Sequence, residues 1–184
     1  MVSTTTKAAS LEAFLNLPET KPAAEFINGK ITQKPMPQGE HSRLQVKLVT
    51  NINQLTEIQQ IAYAFSELRC TFGGASIVPD VSVFRWARIP RNVSSRIVNR
   101  FEICPDWAIE ILSPDQRQNK VLANLLHCIE NGTELGWLLN PEDENILVVS
   151  DRRIQIFKGA DTLPVLNGIN LELTSEQIFS WLNF

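Results

Sequence analysis

Apolar positions along this chain follow two rhythms, and each change of rhythm marks an element. Leu44, Leu48, Ile52 and Leu55 recur at three- and four-residue steps with Val49 beside them. That spacing predicts an amphipathic helix from Glu40 or His41 to Thr56. Val121, Leu122, Leu125, Leu126 and Ile129 predict a second helix, Gln118 to Glu130, closed by Asn131-Gly132. A short helix from Ser10 to Leu17 ends at Pro18, and a last one over Thr174–Leu182 carries a capping box of Thr174 and Gln177. Between these stand shorter apolar runs. Ala24–Thr32 holds Asn28-Gly29 between two strand-like pieces, a strong hairpin signal. Ile61–Phe72 is strand-like and mixed, and Gly73-Gly74 turns it into Ser76–Arg85, where Pro79 argues for an edge, a bulge or a break just before Asp80. Trp107–Leu112 is apolar except at Glu110. Leu135–Asn140 and Asn145–Val149 flank the acidic turn Pro141-Glu142-Asp143-Glu144, and Arg153–Phe157 alternates as an exposed edge strand should.

This order predicts an α/β or α+β fold around one mixed sheet flanked by helices. Residues 1–20 read as a tail and short helix, and 21–184 as a single domain. The 184 residues are 43% hydrophobic and 20% charged, enough for one core. Formal charge is -3, so any contact with nucleic acid must come from a local patch. Cys70, Cys104 and Cys128 lack metal-type spacing and suit buried positions in a reducing compartment. No run is long enough to span a bilayer and the N-terminus lacks a signal-type apolar core, so a cytoplasmic protein with no membrane partner is expected.

Two carboxylates change this picture. Asp80 opens one apolar run and Glu110 interrupts another, and a buried carboxylate is costly unless paired, protonated or bound to a metal. Two such acids with a lysine, here Lys120, fit metal-assisted hydrolysis of a phosphodiester. Each has a plainer reading. Asp80 reads equally well as a turn acid, Glu40 as a carboxylate at a helix N-terminus, and Lys120 as an exposed lysine. His41 reads as a polar residue of a helix start and His127 as a residue without a chemical role. Arg85, Arg88, Arg91, Arg96 and Arg100 fall in an interval without an acid, which reads either as a solvated loop or as a contact for DNA phosphates.

With these residues in place, the chain resembles the Uma-type family of restriction endonucleases in the PD-(D/E)XK nuclease superfamily. The likeness rests on Glu25–Lys30, Gly39-Glu40-His41-Ser42, Val78-Pro79-Asp80-Val81, Pro105–Pro114, Lys120 and Gly136–Pro141. It implies a restriction-endonuclease-like core, Asp80 and Glu110 as metal-binding acids, and Glu40 as a further acid of the site. It also implies Mg²⁺ with Mn²⁺ as the alternative, DNA as partner, and a homodimer. The superfamily pattern places a lysine two residues after the second acid, where this chain has Leu112; Lys120 matches the position where the family commonly carries one. Asn140-Pro141 stands where the family often has Asp-Pro. The leading expectation is a Mg²⁺-dependent DNA endonuclease using Asp80, Glu110, Lys120 and Glu40. The alternative is an inactive nuclease-fold module that binds or regulates as a homodimer.

Overall fold

The computed structural model describes residues 6–7, 10–114, 116–151 and 153–184. In chain order the elements are β1 (Thr6–Lys7), α1 (Leu11–Leu15), β2 (Ala24–Ile27), β3 (Lys30–Gln33), α2 (Gly39–Thr56), β4 (Ala62–Ser66), β5 (Cys70–Phe72), β6 (Ala75–Ile77) and β7 (Val81–Arg85). A 3₁₀ turn at Trp86–Arg88 opens a long loop. Then come β8 (Trp107–Ile111), α3 (Gln118–Glu130), β9 (Leu135–Asn140), β10 (Asn145–Ser150), β11 (Arg153–Lys158) and α4 (Ser175–Ser180).

The strands form two sheets where the periodicity predicts one. A six-stranded mixed sheet has the order β11-β10-β9-β8-β7-β4, and a five-stranded sheet the order β1-β3-β2-β6-β5. The difference lies at Val78-Pro79-Asp80. Proline cannot donate to a ladder, so the run from Ser76 to Arg85 breaks there, leaving β6 in the smaller sheet and β7 in the larger. The Asn28-Gly29 turn has positive φ at both residues, 50° and 74°, as a tight hairpin requires, and joins β2 to β3.

Within the larger sheet only β8 and β9 run parallel, joined by the α3 crossover. Strands β7 and β8 are antiparallel, with Val81 opposite Ile109. The next outward positions in that register are Asp80 and Glu110. Both faces of the sheet are covered. Leu44, Leu48 and Ile52 of α2 pack on Val81, Val83, Trp107, Ile109 and Trp137, with Ile178 and Phe179 of α4 in the same cluster. Val121, Leu125 and Cys128 of α3 meet Ala108, Leu138 and Leu147 on the other side. Every residue of β8 is therefore buried, Glu110 included. Strand β11 is the exposed edge that its alternation predicts. Among the described residues no helix is long and apolar enough to cross a membrane.

Candidate active site

Asp80 and Glu110 are 1% and 4% exposed, side by side at one end of β7 and β8. Between them lies an ammonium from the other sheet. Lys34 follows β3 by one residue, and its backbone N–H continues the hairpin ladder to the Ala23 carbonyl at 2.9 Å. Its Nζ donates to Asp80 Oδ1 at 2.6 Å, to the Val78 carbonyl at 2.7 Å and to Glu110 Oε2 at 3.3 Å.

Asp80 is held on every side. Its Oδ2 accepts the Ile111 N–H at 2.7 Å and lies 3.0 Å from His41 Nε2 on the first turn of α2. One turn further along α2, Gln45 Nε2 donates to the Asp80 carbonyl at 2.8 Å. The amphipathic pattern of α2 thus serves a second purpose, because its buried stripe also carries the polar groups that fix the acid. His41 Nδ1 and Ser113 Oγ are buried without a hydrogen-bond partner among the described residues.

A third carboxylate, Glu25 of β2, stands behind the pair. Its Oε1 accepts the Val78 N–H at 2.8 Å, and Asn124 of α3 donates to its Oε2 at 3.2 Å. Three buried acids thus share one lysine. Burial works against the charged form of each, yet the outcomes differ. Lys34 and His41 outweigh burial at Asp80 and hold its carboxyl far below the usual range. Glu110 and Glu25 remain above it, Glu110 well above, because Asp80 adds to burial and Lys34 does not offset both. For Lys34, burial is outweighed by Glu110, Asp80 and Glu25, which hold its ammonium above the ordinary lysine value.

A cleft of about 450 Å³ opens onto this cluster. Lys34, His41, Val78 and Asp80 line it, together with Lys21, Pro22, Met36 and Gln116.

The family model described as "Putative restriction endonuclease", Uma2, matches residues 11–176. The chain belongs to the Uma2 family. A solved structure described as "a putative nuclease belonging to DUF820", from Anabaena variabilis ATCC 29413, is similar to it at 50% sequence identity. The match covers 95% of this chain and 99% of that one, with a TM-score of 0.93. No curated protein matches.

In this Uma2 chain the fold unites some of the residues picked out from the sequence and separates others. Asp80 and Glu110 meet. Glu40 is exposed on the first turn of α2, one residue before the buried His41. Lys120 is exposed at the start of α3 and pairs with neither acid; the lysine in the cluster is Lys34. Arg85 is the last residue of β7 and Asp80 immediately precedes its first, so the five-residue strand of about 16 Å separates these two along the sheet. Two of the five arginines are neutralised within the chain. Arg85 grips Glu134 at 2.8 and 3.0 Å, and Arg88 bonds Asp106 at 2.5 Å. Arg91 donates to the Trp86 carbonyl and lies over its ring, while Arg96 and Arg100 are exposed.

Sequence reasoning passed over Lys34, Glu25 and the role of His41. Glu25 carried a usable signal, since it is an acid inside a strand-like run, as Glu110 is. Lys34 carried none, because it stands alone between a hairpin and Pro35. His127, expected to have no chemical role, stacks on Phe72 with ring centroids 5.5 Å apart.

Proposed function

We propose that this Uma2 protein is a metal-dependent nuclease that hydrolyses phosphodiester bonds of DNA at the Asp80–Glu110 pair. The observation that carries this reading is the pair itself: two buried carboxylates brought together by strand register, one of which, Asp80, lines a cleft beside Lys34. Buried acids that push one another's protonation apart, beside a cation in a cleft, mark functional sites more often than structural ones.

The donors fit a hard divalent cation. They are carboxylate oxygens, and burial and mutual repulsion hold two of the three acids above their ordinary range, a penalty that a bound cation would relieve. Magnesium is usually held by one or two carboxylates, with water and phosphate oxygens completing its shell. Asp80 and Glu110 would hold the ion, which would supply positive charge to the scissile phosphate and a more acidic water. The remaining work belongs to the chain. Lys34 and His41 keep the Asp80 carboxylate ionised, and the Ile111 N–H to its Oδ2 and Gln45 to its backbone carbonyl keep it fixed, so its oxygens need no reorganisation when substrate arrives. Lys34, in contact with both acids, would place a positive charge beside the scissile phosphate.

A second reading, a nuclease-fold module that binds without cutting, is favoured by two observations. Among the described residues no three His, Cys, Asp or Glu side chains gather as a metal site, and Lys34 sits between the two acids. Incubating the protein with plasmid and linear DNA in Mg²⁺, Mn²⁺ or EDTA separates the readings. Cutting that needs metal and is lost in Glu110→Gln supports the nuclease. Metal-independent binding without cutting supports the module.

A further inference from the structure

Resting on the nuclease reading, we infer that Lys34, positioned by Glu25, is the lysine that meets the scissile phosphate, and that Lys120 has no part in the reaction. Three observations lead there. First, Lys34 is the lysine placed at both acids, and it lines the cleft through which a phosphate must enter. A phosphate brought to this pair meets the Asp80 carboxylate, and the ammonium 2.6 Å from that carboxylate offsets the repulsion.

Second, its placement is built rather than incidental. The backbone of Lys34 is pinned to Ala23 at the end of the hairpin, and its Nζ to the Val78 carbonyl. The N–H of the same Val78 is taken by Glu25, which Asn124 of α3 holds from behind. Glu25 therefore acts through Val78 on both reacting groups. It fixes the carbonyl that orients the lysine, and it fixes the Val78-Pro79-Asp80 connector that carries the acid. One hairpin of the smaller sheet delivers both members of this Glu–Lys unit, which gives that sheet a task at the site.

Third, Lys120 is exposed and makes no ion pair among the described residues. Lys34, by contrast, already touches both acids.

The test compares Lys34→Met, Lys34→Arg, Lys120→Met, Glu25→Ala and Glu25→Gln. Each variant is first checked for folding by circular dichroism and thermal melting, and Lys34→Arg keeps the buried cation should Lys34→Met unfold. Cleavage of linear duplex DNA in Mn²⁺ is expected to fall on the order of 100-fold in Lys34→Met, the usual cost of losing one preorganised charge at a reacting centre, and to be partly restored in Lys34→Arg. Lys120→Met should cut as wild type does. Glu25→Ala should lower kcat with KM unchanged, and Glu25→Gln, which keeps an acceptor for Val78 N–H, should recover most of it.

A second readout needs no cleavage. Duplex binding in Ca²⁺, followed by anisotropy against salt, should lose about one unit of salt slope in Lys34→Met and none in Lys120→Met. Hydrogen exchange over residues 76–82 should quicken in Glu25→Ala alone. An inactive Lys120→Met beside an active Lys34→Met overturns the inference and leaves the nuclease standing. If the wild type binds DNA but never cuts, the nuclease reading falls, and the two salt slopes decide Lys34. If it neither binds nor cuts, both fall.

Discussion

Replacing Glu110 by glutamine should make this protein more stable and do so only above acid pH. The carboxyl is buried at the end of β8. Lys34 at 3.3 Å opposes the penalty of burial, but Asp80 and Glu25 reinforce it, and the group remains well above its ordinary value. The native state thus binds this proton more tightly than the unfolded chain does. Unfolding free energy then falls as pH rises from the unfolded value, about 4.3, through the folded one. Below that window the carboxyl is neutral in both states and the substitution changes little. Above it the wild type carries a charge that glutamine does not. Each unit of such a shift is worth about 1.4 kcal/mol, and relieving a strained functional site commonly returns about 0.5–2 kcal/mol. For a chain of this size 1–2 kcal/mol is roughly 2–8 °C in Tm. Thermal melts of both proteins in EDTA at pH 4.5, 6 and 8 should show a difference that opens with pH. An equal or negative difference at every pH would refute the charge argument for Glu110.

Three further perturbations have expected results. Asp80→Ala removes the nearest carboxylate from Lys34, which keeps Glu110 and the Val78 carbonyl, and the acceptor from the Ile111 N–H; breaking a buried pair on one side costs up to about 3–5 kcal/mol in urea unfolding at pH 7. Because the Asp80 carboxyl is held low by Lys34 and His41 against burial, that stability is present above the unfolded value and is lost as pH falls, so the gap between the proteins should narrow in acid. Gly73→Ala should cost about 1–3 kcal/mol, since Gly73 has φ +56° and its new Cβ would lie 2.1 Å from Asn131 Oδ1; Asn131 is itself tied to the His127 carbonyl at 2.8 Å. A Tm unchanged by that substitution would contradict the packing of this turn. Finally, the three free cysteines are buried, and burial pushes the Cys70 thiol up to about 12 and Cys128 well above the ordinary range. Thiol labelling at neutral pH should track global unfolding; a fast-reacting thiol in the native protein would contradict it.

Local rules made much of this fold legible. The Asn28-Gly29 hairpin, the Ser10 cap of the first helix and the Thr174–Gln177 capping box are decided by neighbours a few residues apart, and the structure has each of them, though that first helix ends at Leu15 rather than at Leu17 before Pro18. Asp80 and Glu110 were legible for a different reason. A carboxylate inside an apolar run violates the pattern, and such violations tend to fall at functional sites. What stayed hidden depends on long-range placement. Lys34 reaches Asp80 and Glu110 across 46 and 76 residues of chain, from a sheet whose separation from the larger one turns on Pro79. Lys120 drew attention because it stands close in sequence to Glu110, yet the start of α3 faces it to solvent. His41 read as a helix-start residue because helix periodicity reports which positions share a face and not what lies opposite.

The most direct measurement is cleavage of supercoiled plasmid by the wild type and by Glu110→Gln, side by side in Mg²⁺, Mn²⁺ and EDTA. Since this variant is expected to be at least as stable as the wild type, lost activity cannot be ascribed to lost structure. The account predicts nicked and linear DNA from the wild type with metal only, and none from the variant. Equal cutting by both proteins, or cutting that persists in EDTA, would contradict it.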